Sequence, residues 1–370
     1  MKAVIVGGGV AGLAIGWRLA ESGLAVEVIE RGLAGRASSW AAAGMLAATA
    51  ETGVADDAHA QFARMGLAAW PEFAAAVERA SGQAIGFRRC GALLAATSEP
   101  RAKELRDLAA ALGRRGEQAK WLTPNAAREL EPLLTGVIKG ALHAPDDGQV
   151  DNRRLGGALA DAFIKAGGRL REHTEARGIH LEAGRAAGVL LPAGVVTADC
   201  VIVAAGAWTN LIAGAAHVLP PVRPAKGQMA ALAPAPGAAM PRHLIWGEGP
   251  VYLVPRGTTL LVGATVEDRG FDTSVSREVH DELIGRAAQL VPSLRSWRVA
   301  ESWAGLRPRT QDDLPVLGET SIPGLYVASG QYRNGILFAP VIAEAMRDFI
   351  MDKKPVGPAA AFAPGRLAGA

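Results

Sequence analysis

Six residues near the start, Gly7-Gly8-Gly9-Val10-Ala11-Gly12, limit what the rest of the chain can become. They follow a short apolar run at residues 2–6, which reads as a buried strand. They open residues 10–21, whose apolar positions recur at helical spacing. Gly23 ends that helix, and "AVEVIE" supplies a second strand. In the pattern G-x-G-x-x-G each glycine has its own reason. Gly7 allows a tight turn, Gly9 lets a pyrophosphate approach the backbone, and Gly12 lets helix and strand pack closely. The amides of the helix start, at Val10 and Ala11, face the phosphates with the positive end of the helix dipole. Glu30 lies 18 positions after Gly12 at the end of the second strand, where an acid binds ribose hydroxyls. The plainer alternative is a glycine turn with an incidental acid. The motif by itself does not separate FAD from NAD.

The remaining pattern suggests how this unit is extended. A chain of 370 residues suits two intimately connected domains. Helices are expected at residues 57–80, 101–116, 151–167 with Asp151 as N-cap, 276–290 and 335–350. The last would place Ile336, Ala339, Ile342, Ala343, Met346 and Phe349 on one side. "ADCVIVAAGAW" at 198–208 is apolar throughout most of its length, as a central strand must be. Between 220 and 268 short runs split by turns suggest an antiparallel sheet. The expected class is α/β in two domains. One is a Rossmann-like dinucleotide-binding domain, the FAD-binding domain if the cofactor is the flavin, assembled from residues 1–84, 145–218 and 300–356. The other is an inserted antiparallel-sheet substrate domain of residues 85–144 and 219–299. The tail at 357–370 is expected to fray.

Composition excludes several classes. Formal charge is +3 on 75 charged residues, 39 basic and 36 acidic, which gives no reason to invoke nucleic acid. Cys90 and Cys200 are the only cysteines, too few for a disulfide framework or a cysteine zinc site, and a reducing cytoplasm is the simplest compartment. No run of about 20 uninterrupted apolar residues suggests a membrane span. Glycines interrupt the N-terminal run, and Arg18 and Glu21 follow, so it reads as structure and not as a signal peptide. The seven histidines show no metal-ligand spacing, so no metal is expected. Asp312 and Asp313 read as a solvated polar turn.

"RASSWAAAGML" at 36–46 adds a second feature. Small residues in a row let a backbone lie flat against a large planar group, and Ser38 and Ser39 can reach phosphate or ring heteroatoms. An alanine-rich helix start is the bland reading of the same residues. The segments "SSWAAAGML", "VIVAAGAW", "KGQM", "VYLVPR", "LLVGAT", "WAGLRP" and "GQYRNGILFAP" occur in this order over residues 38–340. Together with the glycine fingerprint they resemble the D-amino-acid-oxidase-like flavoproteins, and within them the glycine oxidase branch of thiamine biosynthesis.

That resemblance implies noncovalent FAD and oxidation of a small amine-bearing carboxylic acid to an imine, with oxygen as electron acceptor. It also allows a homo-oligomer. Arg307, in Gly-Leu-Arg-Pro, would grip the substrate carboxylate, and the Tyr252 hydroxyl would touch the same group. Arg333 would lie near the flavin and the mouth of the site. The amides of Asn334, Gly335, Ile336 and Leu337 would face negative charge on the reduced flavin. Arg31 and Arg36 would join Ser38, Ser39, Ala42, Ala43, Gly44 and Met45 at the cofactor. Ala176, Ala205, Gly206 and Trp208 would complete its contacts. No cysteine follows Cys200, so the covalent attachment used by some relatives has no residue to use. D-amino-acid or sarcosine oxidases and dehydrogenases share the scaffold. A noncatalytic FAD-binding protein would keep the fingerprint and lose Arg307 and Tyr252. No residue is assigned as a general base.

Overall fold

A computed structural model describes residues 1–355 and 357–367. The strand Lys2–Val6 lies at the centre of a six-stranded sheet. It pairs in parallel with Ala25–Ile29 on one side and Cys200–Val203 on the other. Arg169–Arg171 and Leu325–Ser329 extend the sheet in parallel, and Val316–Glu319 closes one edge antiparallel. Alternation along the strand divides its side chains between two cores. Ala3 and Ile5 pack with Leu13, Trp17, Phe163 and Ile342 on the helical face. Val4 and Val6 pack with Ile179, Val189 and Leu191 on the other. That second face is covered by an antiparallel meander of residues 178–197, which the sequence pattern did not suggest.

A second sheet has eight strands. Arg298–Arg309 forms its edge and pairs with Arg223–Ala233 along nearly its whole length. Thr259–Gly263, Tyr252–Arg256 and Leu244–Trp246 follow, and then Ala92–Ala96, Gly140–Ala144 and Lys120–Leu122. Every pairing is antiparallel except Leu244–Trp246 against Ala92–Ala96, whose connection is long enough to return in the same direction. A division of the chain at 299/300 would cut the strand Arg298–Arg309, whose pairing with Arg223–Ala233 continues on both sides of a register shift there and assigns it to this second sheet.

The helices Ala58–Ser81, Glu99–Arg114, Asn152–Lys165 and Arg277–Leu290 lie close to their expected positions. Asp57, Ser98, Asp151 and Ser276 each accept backbone N–H groups of the first turn. The last helix begins at Ala339 and not at 335. Pro340 explains the difference: proline fits the first turn, where its missing N–H costs nothing, and not the interior. The buried strand near 200 spans only Cys200–Val203. Gly206, at φ +54°, then opens a 3-10 turn over Gly206–Leu211.

Fraying of the tail is corrected over residues 357–367. Ala359 and Phe362 are fully buried, and the Phe362 ring lies 5.2 Å from that of Phe62. Burial of Ala359 and Phe362 offsets part of the entropy of ordering this segment, and polar contacts add to it. Arg366 binds Asp312 at 2.9 Å and the Leu314 carbonyl at 3.0 Å. Asp313 is held by Arg309 at 2.6 Å. The two acids are therefore ion-paired and not merely solvated. Residues 356 and 368–370 of the expected tail and domain end lie outside the described residues. Among the described residues no helix is long and apolar enough to cross a membrane.

Candidate active site

A cavity of about 480 Å³ lies between the C-terminal ends of the parallel strands and one face of the second sheet. This is where ligands bind in open α/β sheets. Gly7 stands at its base with φ +110°, and a Cβ there would meet the Ala204 carbonyl oxygen at 2.4 Å. A Cβ on Gly12 would lie 2.0 Å from the Gly7 carbonyl oxygen. Gly9 meets nothing closer than Ser39 Oγ at 3.3 Å, so its bare backbone is free to front the cavity. Gly12 packs behind the turn and does not line the cavity.

Glu30 organises this turn. One carboxylate oxygen accepts the Gly8 N–H at 2.8 Å and the other accepts Gly32 N–H at 2.9 Å. Each oxygen has a second lone pair for a ribose hydroxyl. Gly9 has no side chain to cap the helix it precedes. Ser39 supplies the cap, its Oγ accepting the Val10 N–H at 3.0 Å. Ser38 donates to the Leu306 carbonyl. The two serines therefore tie the 36–46 segment to the glycine turn and to the second sheet. Ser39 keeps its own proton for a ligand, whereas Ser38 has committed its proton, which narrows the expectation that both hydroxyls reach the cofactor.

The other expected cofactor residues converge here, with two exceptions. Ala42, Ala43, Gly44 and Met45 line one wall, and Ala176, Ala205 and Gly206 another. Arg31 stacks over Trp208 at 4.0 Å, and Trp208 stacks on Phe271 at 5.8 Å. Arg36 is exposed and points elsewhere. Leu337 is buried in the helical core, its carbonyl accepting the Trp70 indole N–H at 3.0 Å. Asn334, Gly335 and Ile336 line the cavity, but they form the turn before the last helix and not its start. The Asn334 amide donates to Nε2 of His59 at 3.2 Å, and burial holds the His59 pKa below its usual value.

At the far end of the cavity Arg307 rests on backbone. Its Nη1 donates to the Thr265 carbonyl at 3.0 Å and approaches that of Lys226 at 3.5 Å. Strand register sets Gly227 beneath it, where a Cβ would lie 2.3 Å from Nη1. Tyr252 lies close by, with its ring 5.4 Å from that of Trp246 and its hydroxyl donating to Met229 Sδ at 3.1 Å. Burial pushes the Tyr252 pKa up, while Arg307 and Arg333 pull it down, so the group remains a neutral hydroxyl.

Arg333 faces Glu51, with Nη2 3.3 Å from a carboxylate oxygen. Burial raises the Glu51 pKa, against the pull of Arg333 and Arg307. Glu51 belongs to the short helix Ala48–Thr52 and was missed in the sequence, where "ATAET" carries no motif. Gly227 and Met229 were visible only as part of "KGQM". The cavity, the glycine cradle and the Glu30 carboxylate fit a dinucleotide with a flat ring system against residues 42–45.

A family model described as FAD dependent oxidoreductase matches residues 2–349. The chain belongs to this family. FAD is accordingly its cofactor, and the enzyme class is an FAD-dependent oxidoreductase. The chain is similar to a glycine oxidase of Geobacillus kaustophilus, 36% identical over 356 residues, covering 95% of this chain and 93% of that one. It is 34% identical to the bifunctional protein ThiO/ThiG of Trichormus variabilis over 95% of its own length, but it spans only 53% of that relative. The crystal structure of the Geobacillus glycine oxidase superposes with a TM-score of 0.93 at 34% identity, covering 99% of each chain.

Proposed function

We propose that the protein oxidises glycine and other small amino acids, including sarcosine and small D-amino acids, to the imine and then the 2-oxo acid, with oxygen reduced to hydrogen peroxide. The single observation that carries this reading is Arg307, a guanidinium fastened to two carbonyls by one nitrogen and opening into the cavity with the rest. Such a fork holds a carboxylate through two parallel hydrogen bonds. Tyr252 adds a neutral donor to the same anion. FAD, when bound, supplies the two-electron acceptor.

The protein's part is to fix orientation. Arg307 and Tyr252 hold the carboxylate, so the α-carbon is presented toward the wall built by residues 42–45. Fixed orientation is itself a large factor in rate. Apolar neighbours exclude water around the reacting carbon: Met229 and Trp246 line the same end of the cavity. The substrate amine must be neutral to react, and no side chain is assigned to take its proton. Similarity to the bifunctional relative supports a role in supplying thiazole synthesis for thiamine, and the two free cysteines suit a reducing cytoplasm.

The test is peroxide release from the FAD-loaded protein across glycine, sarcosine, small D-amino acids and amines without a carboxylate. Turnover of the amino acids with peroxide, and not of the bare amines, is expected. Reduction of the flavin by the amino acid without peroxide release would identify a dehydrogenase. Equal turnover of the bare amines would remove the carboxylate anchor.

A further inference from the structure

Arg256 stands behind the wall formed by residues 42–45, and its side chain is only 14% exposed. Nη2 donates to the Ala43 carbonyl at 2.6 Å, Nη1 to Asn152 Oδ1 at 3.0 Å and Nε to Gln149 Oε1 at 3.3 Å. The one nearby carboxylate, that of Asp151, is 3.5 Å away and also caps a helix. Burial pulls the Arg256 pKa down to about 10, even with Asp151 opposing. A cation buried mostly among neutral acceptors is costly, and the peptide it grips gives a reason for it.

A trans peptide points its C=O and N–H in opposite directions. Arg256 takes the Ala43 carbonyl from outside the cavity, so the N–H of Gly44 points inward. Gly44 has φ +71°, and a Cβ there would strike the Val150 carbonyl oxygen at 2.1 Å and Arg256 Nη2 at 2.9 Å, both on the outer side. Neighbouring carbonyls are held outward too. Asn152 Nδ2 donates to Ser39 O at 2.8 Å and Trp40 O at 2.9 Å, and Trp303 Nε1 donates to Ala41 O at 2.9 Å.

We propose that Arg256 is a positioning residue: by gripping the Ala43 carbonyl it aims the Gly44 N–H into the cavity as a fixed donor for the ring system of FAD. The inference rests on the FAD site and not on which amine is oxidised. A fixed donor at the ring stabilises negative charge acquired on reduction.

The experiment compares Arg256→Lys and Arg256→Met with the parent, all loaded with FAD. The midpoint potential is measured by dye equilibration without substrate, alongside FAD retention, melting temperature, and kcat and KM for glycine. Lysine keeps the charge but cannot span three acceptors as a fork. The lysine variant should retain FAD, hold KM within about twofold, lose at least about tenfold in kcat and shift its potential to more negative values, by converting one well-aimed donor into a mobile one. The methionine variant should shift at least as far; if it fails to fold, the lysine variant decides. A lysine variant with the parent's potential and kcat overturns the proposal and leaves Arg256 as a charge. A lysine variant that folds without retaining FAD, or does not fold, makes Arg256 structural and overturns it as well. The potential needs no amine, so a failure of glycine turnover in the parent leaves this test intact.

Discussion

Arg307 lies over Gly227 with no room for another atom between them: a Cβ on residue 227 would come within 2.3 Å of Nη1 and 2.6 Å of Cζ. The two are diagonal neighbours across the ladder that joins Arg223–Ala233 to Arg298–Arg309, where Arg307 pairs with Ala225 and Gly227 with Gly305. Gly227→Ala should therefore displace the guanidinium. KM for glycine is expected to rise by at least about tenfold, equivalent to about 1.4 kcal/mol, with FAD content and visible spectrum unchanged. Steady-state peroxide assays check this, and an unchanged KM would show that the carboxylate is held elsewhere.

Arg307→Ala removes the anchor itself. Losing one partner of a buried charge pair costs on the order of 2–5 kcal/mol, or roughly thirtyfold and more in kcat/KM. Arg307→Lys should recover only part of this, because an ammonium lacks the fork. Turnover within about threefold of the parent would move the role to Arg333, which lines the same cavity opposite Glu51.

Glu30→Lys should weaken FAD binding and leave substrate preference alone. The carboxylate holds the Gly8 and Gly32 amides as well as offering acceptors to a ribose. Hydrogen bonds to a charged acceptor contribute about 1.5–3 kcal/mol each, so a rise in the FAD dissociation constant of at least about tenfold is expected. Fluorescence titration of the apoprotein measures it. Wild-type affinity would reduce Glu30 to a strand-end acid.

FAD should be extractable. The cysteines are Cys90 and Cys200, and neither lines the cavity. Acid precipitation is expected to leave yellow cofactor in the supernatant. Colour that stays with the pellet would indicate a covalent link.

Asp147 should make stability depend on pH. It is fully buried, and burial raises its pKa from 3.8 to about 7, although the Thr49 and Ala50 amides oppose the rise. The folded state thus holds this proton more tightly than the unfolded chain. Its contribution is fully present below about pH 4 and is lost as pH rises through about 7. Asp147→Asn should flatten that loss, so its melting temperature falls less than the parent's between pH 5 and 8. A variant that follows the parent in parallel would assign the pH dependence to other groups.

Local signals carried much of this molecule. Glycines at 7 and 12 stand where only glycine fits, Gly9 leaves its backbone bare toward the cavity, and the acid at 30 follows from the strand that presents it. Arg307 stood out because a charged residue sits among apolar and turn-forming ones. Glu51 and Arg256 gave no such signal. Each acquires its role from partners more than 100 residues away: Arg333 for Glu51, and Ala43, Gln149 and Asn152 for Arg256. The tail misled for a related reason. Its alanines and prolines look uncommitted, and only the site beside Phe62 makes Phe362 an anchor. The meander of residues 178–197 was obscured by its glycine-rich, short strands, whose apolar residues gain meaning only against Val4 and Val6.

The order of strands in the parallel sheet also bears on how the chain is made. Lys2–Val6 emerges from the ribosome before the strands it pairs with, and one of its two neighbours, Cys200–Val203, is synthesised nearly two hundred residues later. At roughly 5–20 residues per second that interval is about 10–40 s. For that time an almost wholly apolar strand has one finished edge and one open edge. Leu325–Ser329, which covers Cys200–Val203 in turn, comes later still. Nascent chains of this protein are therefore exposed to edge-to-edge pairing with one another until Leu325–Ser329 has been translated. FAD offers no protection during that interval, because the cavity wall that contains Arg307 does not yet exist.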